Sequence, residues 1–251
     1  MNRVLLPCIG LLLFALGWEL AGRSLGEATL APPSIVAIDY IVLLRDGDML
    51  HELALSLRQM AIGYGVACLV GMPLGIAMGR SATADAIVYP WVAMLVVTST
   101  AALVPLLILI LGTGLGLRVT VVFMATVFYV ILTAYNGARG LNPNQLAVGR
   151  SFGAGRMQVF WKIMVPALYP YLLTAARIGL VHAIRAMVTV ELFVITGYGG
   201  LIHQTGLSIG TGPLLGLIVT LAAVSMLGDF ALLLAGRWLA PWYEQQKMIA
   251  P

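Results

Sequence analysis

The chain has 251 residues, 61% of them hydrophobic and 10% charged, with a mean hydropathy of +0.99 and a formal net charge of +4. A soluble domain carries about 25% charged residues and cannot hide this much apolar surface in one core, so lipid is the solvent that fits. The basic residues are scattered along the chain, which argues against a nucleic-acid partner and makes their distribution across the membrane the informative quantity.

A spanning helix needs about 20 apolar residues to cross about 30 Å of hydrocarbon. Six stretches qualify, at roughly 4–22, 58–79, 87–112, 118–138, 168–195 and 214–236. The expectation is an all-α integral membrane protein with about six transmembrane helices. The first stretch also has the look of a signal peptide, with Met1-Asn2-Arg3 as a charged start and Ala15-Leu16-Gly17 as a weak cleavage site. Losing it would spoil the even span count that keeps the 139–167 segment inside, so it is read as a retained span. The two cysteines, Cys8 and Cys68, lie in apolar runs and read as small hydrophobes.

The segment 23–57 is a long connection carrying Glu27, Asp39, Asp46, Asp48 and Glu52, nearly all the loop acids. With the N-terminus inside, the cytoplasmic side collects Arg3, Arg80, Arg139, Arg150, Arg156, Lys162, Arg237 and Lys247. The outer side holds only Arg23, Arg45, Arg58 and Arg118. That bias places both termini in the cytoplasm. The third stretch is long and contains Thr98-Ser99-Thr100 followed by Pro105, so a break or kink is expected near its middle. The three hydroxyls either bond back to their own helix or line a pathway.

Residues 139–167 form the most informative connection. Asn142-Pro143-Asn144 is a helix-start signal. Leu146, Phe152, Met157, Phe160 and Ile163 then recur at roughly helical spacing among Arg150, Arg156 and Lys162. Gly153-Ala154-Gly155 interrupts the pattern, which predicts two short helices joined by a tight turn. Pro166 and Pro170 are expected to restart the chain into the fifth span. Such a basic amphipathic pair either lies in the headgroup layer or docks a protein.

Charges inside a span are costly and each is a functional hypothesis with a partner. The fifth span carries Arg177, His182, Arg185 and Glu191. Arg177 lies about 8 Å from a helix start near 172 and can snorkel to the headgroups, whereas Arg185, at about 20 Å, must face protein or water. His182 lies one turn before Arg185, and the two either attract a passing anion or Arg185 pairs with a carboxylate such as Glu191 of another subunit. Glu191 itself reads as structural or gating. Trp18, Trp91, Trp238 and Trp242 fit interfacial belts in contact with lipid.

No enzyme constellation is present. The sequence lacks HExxH, a Walker lysine motif and GxSxG, its histidines are His51, His182 and His203, and Ser99 and Ser225 have no convincing base. Any ATP must therefore be hydrolysed by another chain. An ion-gradient-driven secondary transporter or channel is the rival reading, but no internal repeat is visible in a chain this short.

The run Gly149-Arg150-Ser151-Phe152-Gly153-Ala154-Gly155-Arg156-Met157-Gln158, closing in Ile163-Met164-Val165-Pro166, resembles the EAA loop of ABC importer permeases. Gly153 falls on that family's glycine and Pro166 on its proline. Leu55-Ser56-Leu57-Arg58, Val104-Pro105-Leu106-Leu107 and Gly197-Tyr198-Gly199-Gly200-Leu201-Ile202 resemble further family segments, and the nitrate/sulfonate/taurine type is the nearest group. The family's Glu-Ala-Ala aligns with Ala147, Val148 and Gly149, so docking here must lean on packing rather than on that glutamate. Thr98-Ser99-Thr100-Ala101 stands where the family has Arg-Pro-Ile-Pro.

The resemblance implies the type I importer permease fold, with 1–251 as one permease domain and 139–167 as a cytoplasmic coupling loop. Arg150, Phe152, Gly153, Ala154, Arg156, Met157, Phe160 and Pro166 would serve ATPase coupling, with 144–163 as the lever. Thr98, Ser99, Thr100, His182, Arg185 and Glu191 are the pathway candidates. It further implies a bacterial inner-membrane location and a cytoplasmic ABC ATPase dimer holding ATP and Mg, with no cofactor on this chain. The remaining partners are a second permease subunit, preferably an identical one, and a periplasmic binding protein delivering a small anion such as a sulfonate, taurine, nitrate or a carboxylate. A neutral pyrimidine is the other substrate class it leaves open.

Overall fold

A computed structural model describes the chain except residues 1, 27–28, 46–47, 143, 145–146, 148, 150, 209 and 241–251; the side chains of 2–8, 11 and 239 are also outside the description. The ordered elements are helical. They are α1 (Asn2–Leu25), α2 (Pro33–Arg45), α3 (Asp48–Arg80), α4 (Ala82–Val97), α5 (Thr100–Leu111) and α6 (Leu115–Arg139). After the 140–155 connection come α7 (Arg156–Val159), a π-helical turn (Phe160–Met164), α8 (Val165–Val194), α9 (Gly197–Leu207) and α10 (Thr211–Leu239).

Apart from the break in the third and the end residues of the third and fifth, the six apolar stretches are helical, because only an internally hydrogen-bonded segment satisfies its backbone in hydrocarbon. Asp48–Arg80, Leu115–Arg139 and Thr211–Trp238 are each long and apolar enough to cross a bilayer. Two bent pairs also have the length and composition of a broken span or a re-entrant loop: α4 with α5, at 97°, and the Arg156–Val194 helix with α9.

Two expectations about the elements need correction, while the expected break near the middle of the third stretch is present. The 23–57 connection is not an open loop, since it contains α2 and the first ten residues of α3, which starts at Asp48 with its carboxylate on the positive end of the helix. The break in the third stretch falls at Thr98-Ser99, while Pro105 sits within α5. Nor do Pro166 and Pro170 restart the chain. Both lie in α8, which continues from α7 through the π turn. A proline lacks the N–H that would bond the carbonyl four residues back and its ring crowds that group. In the widened turn, the Val165 N–H bonds the carbonyl of Phe160, five residues back, and so relieves the crowding just ahead of Pro166.

The chain divides into two compact units. The first comprises Met1–Arg58 and Glu191–Val224. Its core gathers Met49, Leu53, Tyr198 and Leu217, with Tyr40, Leu43 and Leu201 packed against them. The Tyr198 ring is fully buried and its hydroxyl donates to the Leu217 carbonyl at 2.7 Å. In the same unit α1 is fastened to the segment leading into α2. Trp18 Nε1 donates to the Ala31 carbonyl at 3.1 Å, and Glu19 accepts from both the Ser34 hydroxyl and the Ser34 N–H.

The second unit comprises Gln59–Val190 and Ser225–Pro251. Here α3 and α6 pack backbone to backbone. Gly63, Ala67, Gly71, Gly75 and Gly79 recur every fourth residue and form one stripe of small residues along α3. A methyl group at Gly63 would sit 2.8 Å from the Val119 carbonyl, and one at Gly79 2.6 Å from the Ala138 methyl. Lipid tails offer no hydrophobic drive for helix association, so close approach of this kind has to supply it. Arg177 of α8 grips Asp229 of α10 in a two-pronged pair, Nε to Oδ1 at 2.6 Å and Nη2 to Oδ2 at 2.7 Å. The expected snorkelling of Arg177 is therefore replaced by an ion pair between helices.

Candidate translocation and coupling sites

The bend between α4 and α5 follows from local chemistry. Thr98 and Ser99 are both extended, with ψ of 128° and 110°. The Thr98 hydroxyl donates to the Met94 carbonyl at 3.0 Å, so it back-bonds to its own helix. Ser99 makes no side-chain cap bond to α5.

Beside the bend lies a cavity of about 250 Å³. Thr98, Ser99 and Thr100 line it from the bend, Met124, Phe128 and Tyr129 from α6, and His182, Arg185 and Thr189 from α8. Five of the six predicted pathway residues thus line one cavity. His182 lies flat against Tyr129, with ring centroids 3.5 Å apart and planes at 13°. Arg185 is exposed and makes no ion pair among the described residues. Among the described residues no carboxylate lines the cavity, and the first turn of α5 adds the positive end of its dipole. A small space walled by a guanidinium, an imidazole and hydroxyl side chains attracts negative charge.

Among the lining residues outside the expected set are Thr189 and Tyr129. Thr189 was legible, because 182, 185 and 189 share one helical face. Tyr129 was not, since only tertiary packing brings it to His182.

Glu191, the sixth candidate, belongs to the first unit and works there as a remote cap. It is 1% exposed, and its Oε2 accepts from the Gly199 N–H at 2.8 Å. Ser56 Oγ accepts from the Tyr198 N–H at 3.0 Å. Together they satisfy the first turn of α9, whose own N-cap residue Thr196 makes no side-chain cap bond. Gly197 is required twice over: its φ is +67°, and a methyl group there would lie 2.6 Å from Glu191 Oε1.

In the coupling loop Arg150 lies outside the described residues. Asn144, Ala147, Gly149 and Ser151 are helical, and the helix ends at the turn of Phe152 and Gly153. Gly153 has φ +78°, and the Ala154 N–H bonds the Gly149 carbonyl at 3.2 Å. This is the Schellman ending, in which the residue after the cap takes the left-handed conformation. Nothing lies near the space a Gly153 side chain would occupy, so the glycine serves backbone conformation rather than crowding. Gly149 is the opposite case, buried where a methyl group would collide with Ile163.

The next helix begins with the Gln158 side chain accepting from the Gly155 N–H at 3.1 Å. The candidate coupling residues then separate by direction. Phe152 is 87% exposed and Met157 69%, with Arg156 beside them also exposed. Trp161, outside the expected set, is 61% exposed. Phe160 and Ala154 turn inward against Ala138, Val159, Met164 and Leu168. Pro166 is half-buried in α8.

The family model for the binding-protein-dependent transport system inner membrane component matches residues 71–245. The taurine transport system permease protein TauC of Escherichia coli (strain K12) is 27% identical over 93% of this chain and 87% of its own length. The putative aliphatic sulfonates transport permease protein SsuC of Bacillus subtilis (strain 168) is 26% identical over 96% of the chain and 87% of its own. The formylaminopyrimidine transport permease protein ThiX of Halalkalibacterium halodurans is 24% identical over 97% of the chain and 98% of its own.

Proposed function

The chain belongs to the family of binding-protein-dependent transport system inner membrane components, and from that premise we propose how it takes part in import. As a member it is the permease component of an ABC importer, a non-enzymatic membrane protein that works with a separate ATPase and a solute-binding protein. Two identical copies form the pathway, each supplying half, with both termini in the cytoplasm of a bacterial inner membrane. Each chain acts as one permease domain.

The solute is a small anion, received in the cavity of Thr98, Ser99, Thr100, His182 and Arg185. The observation that carries this choice is the lining itself, with Arg185 exposed and no carboxylate opposing it. Taurine and aliphatic sulfonates, named for two of the relatives, present the anionic oxygens such a wall recognises. The formylaminopyrimidine named for the third offers no comparable charge. Glu191 holds α9 in place and acts on gating through that helix.

ATPase docking belongs to 144–163. Phe152, Met157 and Trp161 provide exposed apolar anchors, with Arg156 at their rim and Gly153 setting the angle between the two helices; Arg150 is assigned to the same docking role. Phe160, Ala154 and Pro166 tie this lever to the rest of its unit. Three large apolar side chains on the cytoplasmic side, outside any span, fit insertion into a cleft of a partner. The test is co-purification of the ATPase with the chain. A Phe152→Asp variant should stay in the membrane and lose about tenfold or more in ATPase affinity, the scale of a truncated anchor. Unchanged co-purification would remove the loop from the interface.

A further inference from the structure

The inner end of α4 carries a side-chain cluster that neither the pathway nor the docking surface uses. Asp85 sits in the first turn of α4, just after its N-cap Ser81. Its Oδ2 accepts from the Tyr135 hydroxyl at 3.2 Å, and Tyr135 in turn accepts from Arg139 Nη1. Arg139 also stands 3.8 Å from Asp85 Oδ2. Tyr135 is 4% exposed and wedged among Met78, Val92 and Ile131. The other carboxylate oxygen, Asp85 Oδ1, is buried and has no hydrogen-bond partner among the described residues.

That orphan oxygen bears on what the cluster is for. A half-buried carboxylate with one buried oxygen unsatisfied is a costly way to hold two helices together, and an apolar contact would avoid that cost. The position of the cluster suggests another use. Arg139 is the last residue of α6, where the coupling loop begins, and its neighbour Ala138 is fully buried against Val159, Met164, Leu168 and the inward-facing Phe160. On the other side of the clamp, α4 runs without interruption from Asp85 to the bend at Thr98-Ser99 that forms the cavity wall.

We propose that Asp85, held through Tyr135 to Arg139, is the positioning residue that makes α4 and the cavity bend move together with the coupling loop. The proposal rests on the coupling role assigned to 139–167 above. When the partner displaces the loop, the end of α6 moves with it through the Ala138 packing. The clamp passes that displacement to α4 at its first turn, and the helix, continuous through Pro90, delivers it to Ser99. Without the clamp, α6 would slide past α4 and the loop would move without the bend.

The experiment uses the chain in lipid nanodiscs with its ATPase bound. The parent has Cys8→Ser and Cys68→Ser and carries Ser99→Cys, and the maleimide labelling rate at that cysteine is read with and without Mg-ATP and vanadate. The parent rate should change about fivefold or more on nucleotide trapping. Asp85→Asn and Tyr135→Phe should keep the ATPase bound and hydrolysing while the labelling rate changes less than about twofold; Asp85→Glu should retain the response. A purely structural clamp would lower assembly and hydrolysis together and would not separate them from the response at Ser99.

A full response in both Asp85→Asn and Tyr135→Phe overturns the clamp alone, as does a parent that binds the ATPase without any change at the cysteine. A parent that fails to bind the ATPase overturns the coupling reading first and the clamp with it. If Asp85→Asn does not assemble, Tyr135→Phe decides, because it deletes one hydroxyl from a ring that stays packed.

Discussion

Arg185 and Gly153 show how one residue type acquires a job from its surroundings. An arginine deep in a span must find protein or water, and Arg185 finds a cavity with no acid in it while Arg177, eight residues earlier, finds Asp229. The sequence shows both as intramembrane cations. It does not say which one is paired, because Asp229 lies 52 residues away on another helix. If Arg185 is the anion's partner, Arg185→Ala should cut ATP-dependent taurine uptake about tenfold or more, a loss fitting a charge-assisted hydrogen bond of about 1.5–3 kcal/mol. Arg185→Lys should lose less, and the two rates in reconstituted vesicles make the comparison.

Gly153 was legible as a turn, and the structure changes the reason for it. Its side-chain position is open, so a large residue is resisted by backbone conformation and not by collision. Gly153→Ala should cost about 1–2 kcal/mol in the loop, seen as weaker ATPase co-purification. Gly153→Asn, whose side chain tolerates the left-handed region, should keep more of the binding.

At the scale of elements, hydropathy located the apolar stretches, of which three are single helices able to cross and two are bent pairs, because lipid imposes a run length that composition alone reveals. It did not locate α2 or the early start of α3. Their polar residues read as loop, although Met49, Leu53 and Leu57 keep one apolar face. The break of the third stretch was expected from its hydroxyls and proline together, and only the hydroxyls coincide with it.

The α3 glycine stripe gives a further prediction with an internal control. Gly79→Ala places a methyl group 2.9 Å from the Tyr135 carbonyl, a backbone group that cannot step aside. It should destabilise the chain by about 1–3 kcal/mol despite the gain in helix propensity of about 1 kcal/mol. Gly65→Ala, with nothing within 4 Å, should be neutral or stabilising. Thermal unfolding in detergent separates the two. Across the α8–α10 pair, Asp229→Ala should be more damaging than the joint replacement Arg177→Met with Asp229→Leu, because a single change strands a charge and the double change removes both.

For the whole molecule, the membrane assignment stands on composition and the importer assignment stands on family membership. Between them, the structure adds a cavity that gathers Thr98 to Thr100 with His182 and Arg185, and an exposed trio of Phe152, Met157 and Trp161. The cavity was half legible: its α8 face follows from helical spacing, its α6 face does not. The trio was partly hidden, because periodicity alone could not tell the outward Phe152 and Trp161 from the inward Phe160.

The central claim is that this chain moves solute only when ATP is hydrolysed by a bound partner. The direct measurement is taurine uptake by vesicles containing the chain, its ATPase and its binding protein, with ATP supplied to the ATPase side. Uptake that requires ATP and all three proteins is the predicted result. Uptake by the chain alone, driven by an ion gradient and indifferent to ATP, would contradict it.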